Sequence, residues 1–148
     1  MSEISKDEAS RLFDRWKPAQ KIPRIVAIHR DENIRYSYSL MLQFGDCNMH
    51  RLSIPNGVRL LNTSESYQFA DVISIDAVIE DVYTTGLIEK VHKANPDVKF
   101  ILRGDDEYPR QVRDMMEVLR QAQVRFGYLP YTATMEEVRG LVEKLIAK

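Results

Sequence analysis

From residue 24 onward, runs of consecutive apolar residues alternate with stretches whose apolar positions recur every three or four residues. RIVAI at 24–28 is a short continuous apolar run, the pattern of a strand covered on both faces. DENIRYSYSLMLQF follows, with Asp31 as a cap and Ile34, Tyr38, Met41 and Leu42 at helical spacing. NMHRLSI supplies a second strand, and PNGVRLLNTSESYQF a weaker helix that starts at Pro55. DVISID at 71–76 is again buried-strand material. TTGLIEKVHKAN is helical and is stopped by the Asn95–Pro96 pair. KFILRG predicts a fourth strand, YPRQVRDMMEVLRQAQ a helix with Pro109 in its first turn, and VRFGYLP a fifth strand. TMEEVRGLVEKLIAK predicts a last helix, with Thr134 and Glu137 at capping-box spacing.

Before this alternation lies a separate N-terminal piece, residues 1–21. SKDEASRLFDRW has Ser5 and Glu8 at capping-box spacing and Leu12, Phe13 and Trp16 on one helical face, and the proline-containing KPAQKIP reads as a linker. Residues 22–148 then form one domain. Five strand–helix alternations with short connections predict an α/β fold, a parallel sheet with helices on both faces, because right-handed crossovers leave few other topologies.

Composition narrows the function classes. A formal net charge of −1 over 148 residues offers no electrostatic footprint for nucleic acid or an anionic membrane. No apolar stretch approaches the roughly 20 residues needed to span a bilayer. The charged N-terminus has no signal-peptide core, and Cys47 is a single cysteine. These features lead us to expect a cytoplasmic protein with no internal disulfide.

In open parallel sheets, ligands meet the carboxyl ends of the strands. The residues there are His29, Arg30 and Asp31; then Asp76; then Gly104, Asp105 and Asp106; then Pro130 and Tyr131. Four stretches resemble the receiver domains of two-component response regulators: RIVAIHRDENIR, DVISIDAVIEDVYTTGLIEKV, ANPDVKFILRG and FGYLPYTATMEEVRGLVEKLI. The likeness spans residues 22–148 and is most specific over 71–104 and 126–146. It implies a doubly wound, flavodoxin-like sheet of order 2-1-3-4-5, with the N-terminal helix as an addition.

The resemblance also implies roles. Receivers place a phospho-accepting aspartate after the third strand, and that position is Asp76. Their acidic pair for a divalent cation falls on His29 and Arg30, their hydroxyl on Gly104, their lysine on Tyr131 and their switch aromatic on Tyr128. Of the five phosphoryl-handling positions, the aspartate is the one retained. Phosphoryl transfer rests on positioning and charge neutralisation, so the reading expects an atypical, pseudo-receiver domain in which the Arg30 guanidinium pairs with Asp76 where magnesium would act. The alternative is a phospho-accepting, self-phosphorylating single-domain regulator that recruits Asp31 and Glu32 for magnesium.

The remaining candidates have plainer readings beside them. Tyr131 is placed to cover the pocket mouth. Arg103 and Arg110 read as anion ligands or as solvated cations, and GDDE at 104–107 as a solvated loop. His29, His50 and His92 form no cluster in the sequence. We expect no effector domain after the last helix and therefore output through a protein partner, a histidine kinase or an effector, or a second copy of the chain. The surface expected to do this consists of the helix over 110–121, the fifth strand and the last helix.

Overall fold

The computed structural model describes residues 24–31, 34, 48–62, 70–107 and 109–147. The predicted N-terminal helix and linker, Glu32, and most of the helix expected after the first strand lie outside the described residues.

Within them run β1 (Arg24–Ile28), β2 (Asn48–Leu52), α1 (Ile54–Asn62), β3 (Val72–Asp76), α2 (Thr84–Ala94), β4 (Lys99–Gly104), α3 (Arg110–Gln121), β5 (Phe126–Pro130) and α4 (Met135–Ile146). The five strands form one sheet in the order β2-β1-β3-β4-β5, and every pairing is parallel. This is the doubly wound, flavodoxin-like order expected from the sequence.

Strand periodicity divides the core in two. Val26, Ile28, Ile73, Ile75, Phe100 and Leu102 point to one face and pack with Leu61 of α1, Leu87, Ile88 and Val91 of α2, and Val112, Met115, Met116 and Leu119 of α3. Ile25, Ala27, Val72 and Ile101 point to the other, against Ile34 and Val138, Val142 and Leu145 of α4. With both faces covered, the inner strands read as near-continuous apolar runs, interrupted in β3 by the buried Ser74. Each large aliphatic side chain so buried contributes about 1.5–3 kcal/mol.

Local signals set the ends of the elements. The capping box of α4 forms as its spacing predicts: Glu137 N–H donates to Thr134 Oγ1 at 3.2 Å, and Thr134 N–H to Glu137 Oε1 at 3.1 Å. Asn95 ends α2 with its N–H on Val91 O, ahead of Pro96. Asp81 adopts a left-handed φ of 62° in the turn between β3 and α2, where Ile79 and Val82 form an antiparallel bridge. These turns aim the carboxyl ends of β1, β3, β4 and β5 at one edge of the sheet.

Candidate functional site

The alternation that builds the core continues for one residue past the apolar runs. Ile25 and Ala27 face α4, and His29 follows them in the same sense. Val72 is followed by Ser74 and Asp76, Ile101 by Arg103, and Leu129 by Tyr131. The face that is apolar at its centre therefore ends in a polar row at the strand tips: His29, Ser74, Asp76, Arg103 and Tyr131.

Asp76 is only 3% exposed, and three donors surround its carboxylate. His29 Nδ1 lies 2.9 Å from Oδ1. The Tyr131 phenol donates to the same oxygen at 2.8 Å, and the Arg30 main-chain N–H donates to Oδ2 at 2.8 Å. Since a carboxylate can only accept, His29 carries a proton on Nδ1. Its Nε2 is 2.8 Å from Ser74 Oγ, so a neutral ring accepts the serine hydroxyl and a charged ring donates to it. His29 and Ser74 are both wholly buried.

The electrostatics follow from these partners. Burial pushes the Asp76 carboxyl up, but the hydrogen bond and charge of His29, the Arg30 N–H and the Tyr131 phenol outweigh it and hold the group below its ordinary value. The Tyr131 phenol moves in the opposite sense. Burial raises it first, and the hydrogen bond to the negative Asp76 raises it further. The pair is fixed as phenol and carboxylate.

Several expectations need correction. The Arg30 guanidinium is not the group beside Asp76; Arg30 reaches the carboxylate through its main chain and is exposed. His29 has that place, because alternation turns residue 29 inward and residue 30 outward. Arg103 is neither solvated nor a surface anion ligand: it is 1% exposed, and its guanidinium donates to Pro130 O at 3.2 Å. Arg110, by contrast, is exposed and lies 4.0 Å from Asp114. Ser74 was not singled out in the sequence, although its parity with Asp76 marks it.

The remaining candidates are placed as follows. Gly104 ends β4, and its carbonyl accepts the Tyr131 N–H at 2.7 Å. Tyr128 sits beside Gly104 and donates to Asp105 O at 2.7 Å. Asp31, Asp105 and Asp106 are exposed, and Asp106 accepts from Thr132 Oγ1 at 2.7 Å. Among the described residues no group of three or more histidine, cysteine or acidic side chains is placed to hold a metal ion. A protonated imidazole nitrogen and a main-chain N–H face Asp76, a donor set that does not fit a divalent cation. Among the described residues, no helix is long and apolar enough to cross a membrane.

A five-stranded parallel sheet of this order defines the doubly wound, flavodoxin-like class of α/β folds. No family model and no curated protein matches the sequence. Solved structures do match the fold. A receiver domain protein from Methanospirillum hungatei is similar at 20% identity and a TM-score of 0.64, over 84% of this chain and 94% of its own. The chemotaxis protein CheY4 of Vibrio cholerae is similar at 11% identity and a TM-score of 0.65, over 85% of this chain and 100% of its own. A Burkholderia thailandensis structure described as a pilus assembly protein is similar at 16% identity and a TM-score of 0.66, over 85% and 99% of the two chains. At these identities the likeness establishes the fold.

Proposed function

We propose that this chain is a signalling module of the receiver type, an atypical pseudo-receiver that acts through protein contacts and not through magnesium-dependent phosphorylation. The observation that carries the reading is the carboxylate of Asp76, with both oxygens engaged by His29 Nδ1, Tyr131 Oη and Arg30 N at 2.8–2.9 Å. A phosphoryl acceptor needs a free carboxylate oxygen and a cation to neutralise the incoming charge. Here an imidazole stands beside the acceptor, and the hydroxyl and lysine positions hold Gly104 and Tyr131. The partner on this reading is a protein of a signalling pathway, a kinase, an effector or a second copy, docking on α3, β5 and α4 in the cytoplasm.

Incubation with a small phosphodonor, or with beryllofluoride and magnesium, tests the proposal by intact mass and magnesium-dependent fluorescence. The expected result is no adduct. A stoichiometric adduct abolished by Asp76→Asn would favour the second reading, a phospho-accepting regulator that uses Asp31 and Glu32 for the metal.

A further inference from the structure

α2 and α3 cover the same face of the sheet, and a shallow open groove of about 560 Å³ lies along α2 on the side of α3. Gly86, Glu89, Lys90 and Lys93 line it at helical spacing, and His92 and Ala122, the C-cap of α3, complete it. Gly86 leaves the groove without a side chain at one end, where the Tyr83 ring bounds it 2.7 Å from the position of a Cβ on residue 86. Val118, one turn before Ala122 on the same flank of α3, is 39% exposed, and Tyr83 is 74% exposed. His92 Nδ1 is shut off from water and has no hydrogen-bond partner among the described residues. Exposed apolar side chains, an unsatisfied ring nitrogen and two lysines against one glutamate thus meet along one strip.

The topology brings the N-terminal piece of the chain to this strip. Asp71 N–H donates to Arg24 O, Lys99 N–H to Asp71 O, and Phe100 N–H to Arg125 O, so residues 24, 71, 99 and 125 mark one edge of the sheet. α2 and α3 both run back to that edge, so the Lys93 and Ala122 end of the groove lies there. Arg24 enters β1 from the same edge, two strands from β4, which is about 10 Å sideways. The seven residues 17–23 span up to roughly 23 Å when extended. The amphipathic stretch that precedes them is therefore tethered within reach of the groove.

We propose that residues 5–16 of this chain dock in the α2–α3 groove as an amphipathic helix, with Trp16 against His92 and Ala122 and with Ala9 towards Gly86. Leu12, Phe13 and Trp16 share one face of that helix, the anchor pattern of a helix laid in a groove. Ala9 to Trp16 and Gly86 to Lys93 are the same helical rise, about 10 Å. Residues 1–10 carry Glu3, Asp7 and Glu8 against Lys6, which complements Lys90 and Lys93. The indole N–H of Trp16 is a donor, the group that His92 Nδ1 lacks. A short tether makes the docking intramolecular, at an effective concentration on the order of millimolar, so a shallow groove suffices. The inference concerns a different surface from Asp76 and does not rest on the pseudo-receiver reading.

Trp16 is the single tryptophan of the chain, so the fluorescence of the full-length protein reports on this residue alone. Its emission is expected to be blue-shifted and shielded from acrylamide. Ala122→Arg fills the groove and Val118→Asp charges its rim. Each is expected to return the indole to water, with a red shift and roughly threefold stronger acrylamide quenching. Glu143→Arg, on the exposed side of α4, is expected to leave emission and quenching as in the native protein. Far-UV circular dichroism confirms that each variant is folded. A native Trp16 fully open to acrylamide overturns the proposal. So does shielding that survives both groove variants, which would place the indole elsewhere. The shielding is expected to be independent of protein concentration; its loss on dilution would assign the groove to the segment of a second copy and overturn docking within one chain.

Discussion

His29 Nδ1 stands 2.9 Å from Asp76 Oδ1, with one side chain wholly buried and the other almost so. A buried carboxylate deprived of its partner keeps its desolvation cost and loses its compensation. His29→Ala is therefore expected to destabilise the domain by about 3 kcal/mol or more, measured by urea denaturation. Replacing both partners with leucine is expected to cost well under the sum of the two single changes, because no charge is then left stranded. Additive costs would mean that the two side chains do not act as a pair.

The carboxyl of Asp76 is held below its ordinary value of 3.8, which fixes the sign of its pH dependence. A depressed native pKa favours the folded state at any pH above the unfolded value, and the benefit is lost as pH falls through the native one. Native protein and Asp76→Asn should differ in stability by a constant amount above roughly pH 5 and converge as the solution is acidified further. Urea midpoints taken across the acid limb measure this. A gap that widens towards low pH would contradict the arrangement of donors.

The same parity that builds the core explains what could be read in the chain and what could not. RIVAI and KFILRG mark β1 and β4 because a strand covered on both faces is apolar throughout. The alternation of such runs with amphipathic helices predicts a parallel sheet covered on both faces, whereas the strand order rests on the resemblance of four stretches to receiver domains. The site was less legible, since position after a strand does not say which way a side chain points. Counting in twos from Ala27 turns His29 inward and leaves Arg30 outside, and counting from Ile101 buries Arg103. The sequence holds that signal, but charge outweighed it in the reading of Arg30 and Arg103, because arginine is seldom fully buried. The fit of Tyr128 over Gly104 is a contact between residues 24 positions apart, and no local pattern encodes it.

Tyr131 closes the site from the side of β5, its phenol 2.8 Å from Asp76 Oδ1. Tyr131→Phe deletes one of the three donors and leaves the ring, at an expected cost of about 1 kcal/mol. Because burial and Asp76 raise the phenol above its ordinary value of 10.0, its contribution is complete below that pH and is lost as pH rises through the native value. In a spectrophotometric titration of the folded protein, which has seven tyrosines, Tyr131 should ionise later than the exposed Tyr83. The variant should remove that late step from the curve. A curve unchanged by the substitution would place the phenol elsewhere.

A single substitution tests whether His29 stands in for a cation. His29→Asp puts a second carboxylate beside Asp76, and two like charges at that distance are stable only with a proton or a cation between them. The variant is expected to be less stable than the native protein in chelator and to recover stability in magnesium, by about 1.4 kcal/mol at a free concentration tenfold above its dissociation constant. For a domain of this size that is a rise of a few degrees in the melting temperature, readable by differential scanning fluorimetry with calcium as a comparison. The native protein, whose Asp76 already faces an imidazole N–H, a main-chain N–H and a phenol, is expected to melt at the same temperature in magnesium and in chelator. Magnesium-dependent melting of the native chain, abolished by Asp76→Asn, would show that a cation reaches Asp76 despite those three donors, and the pseudo-receiver reading would fall with it.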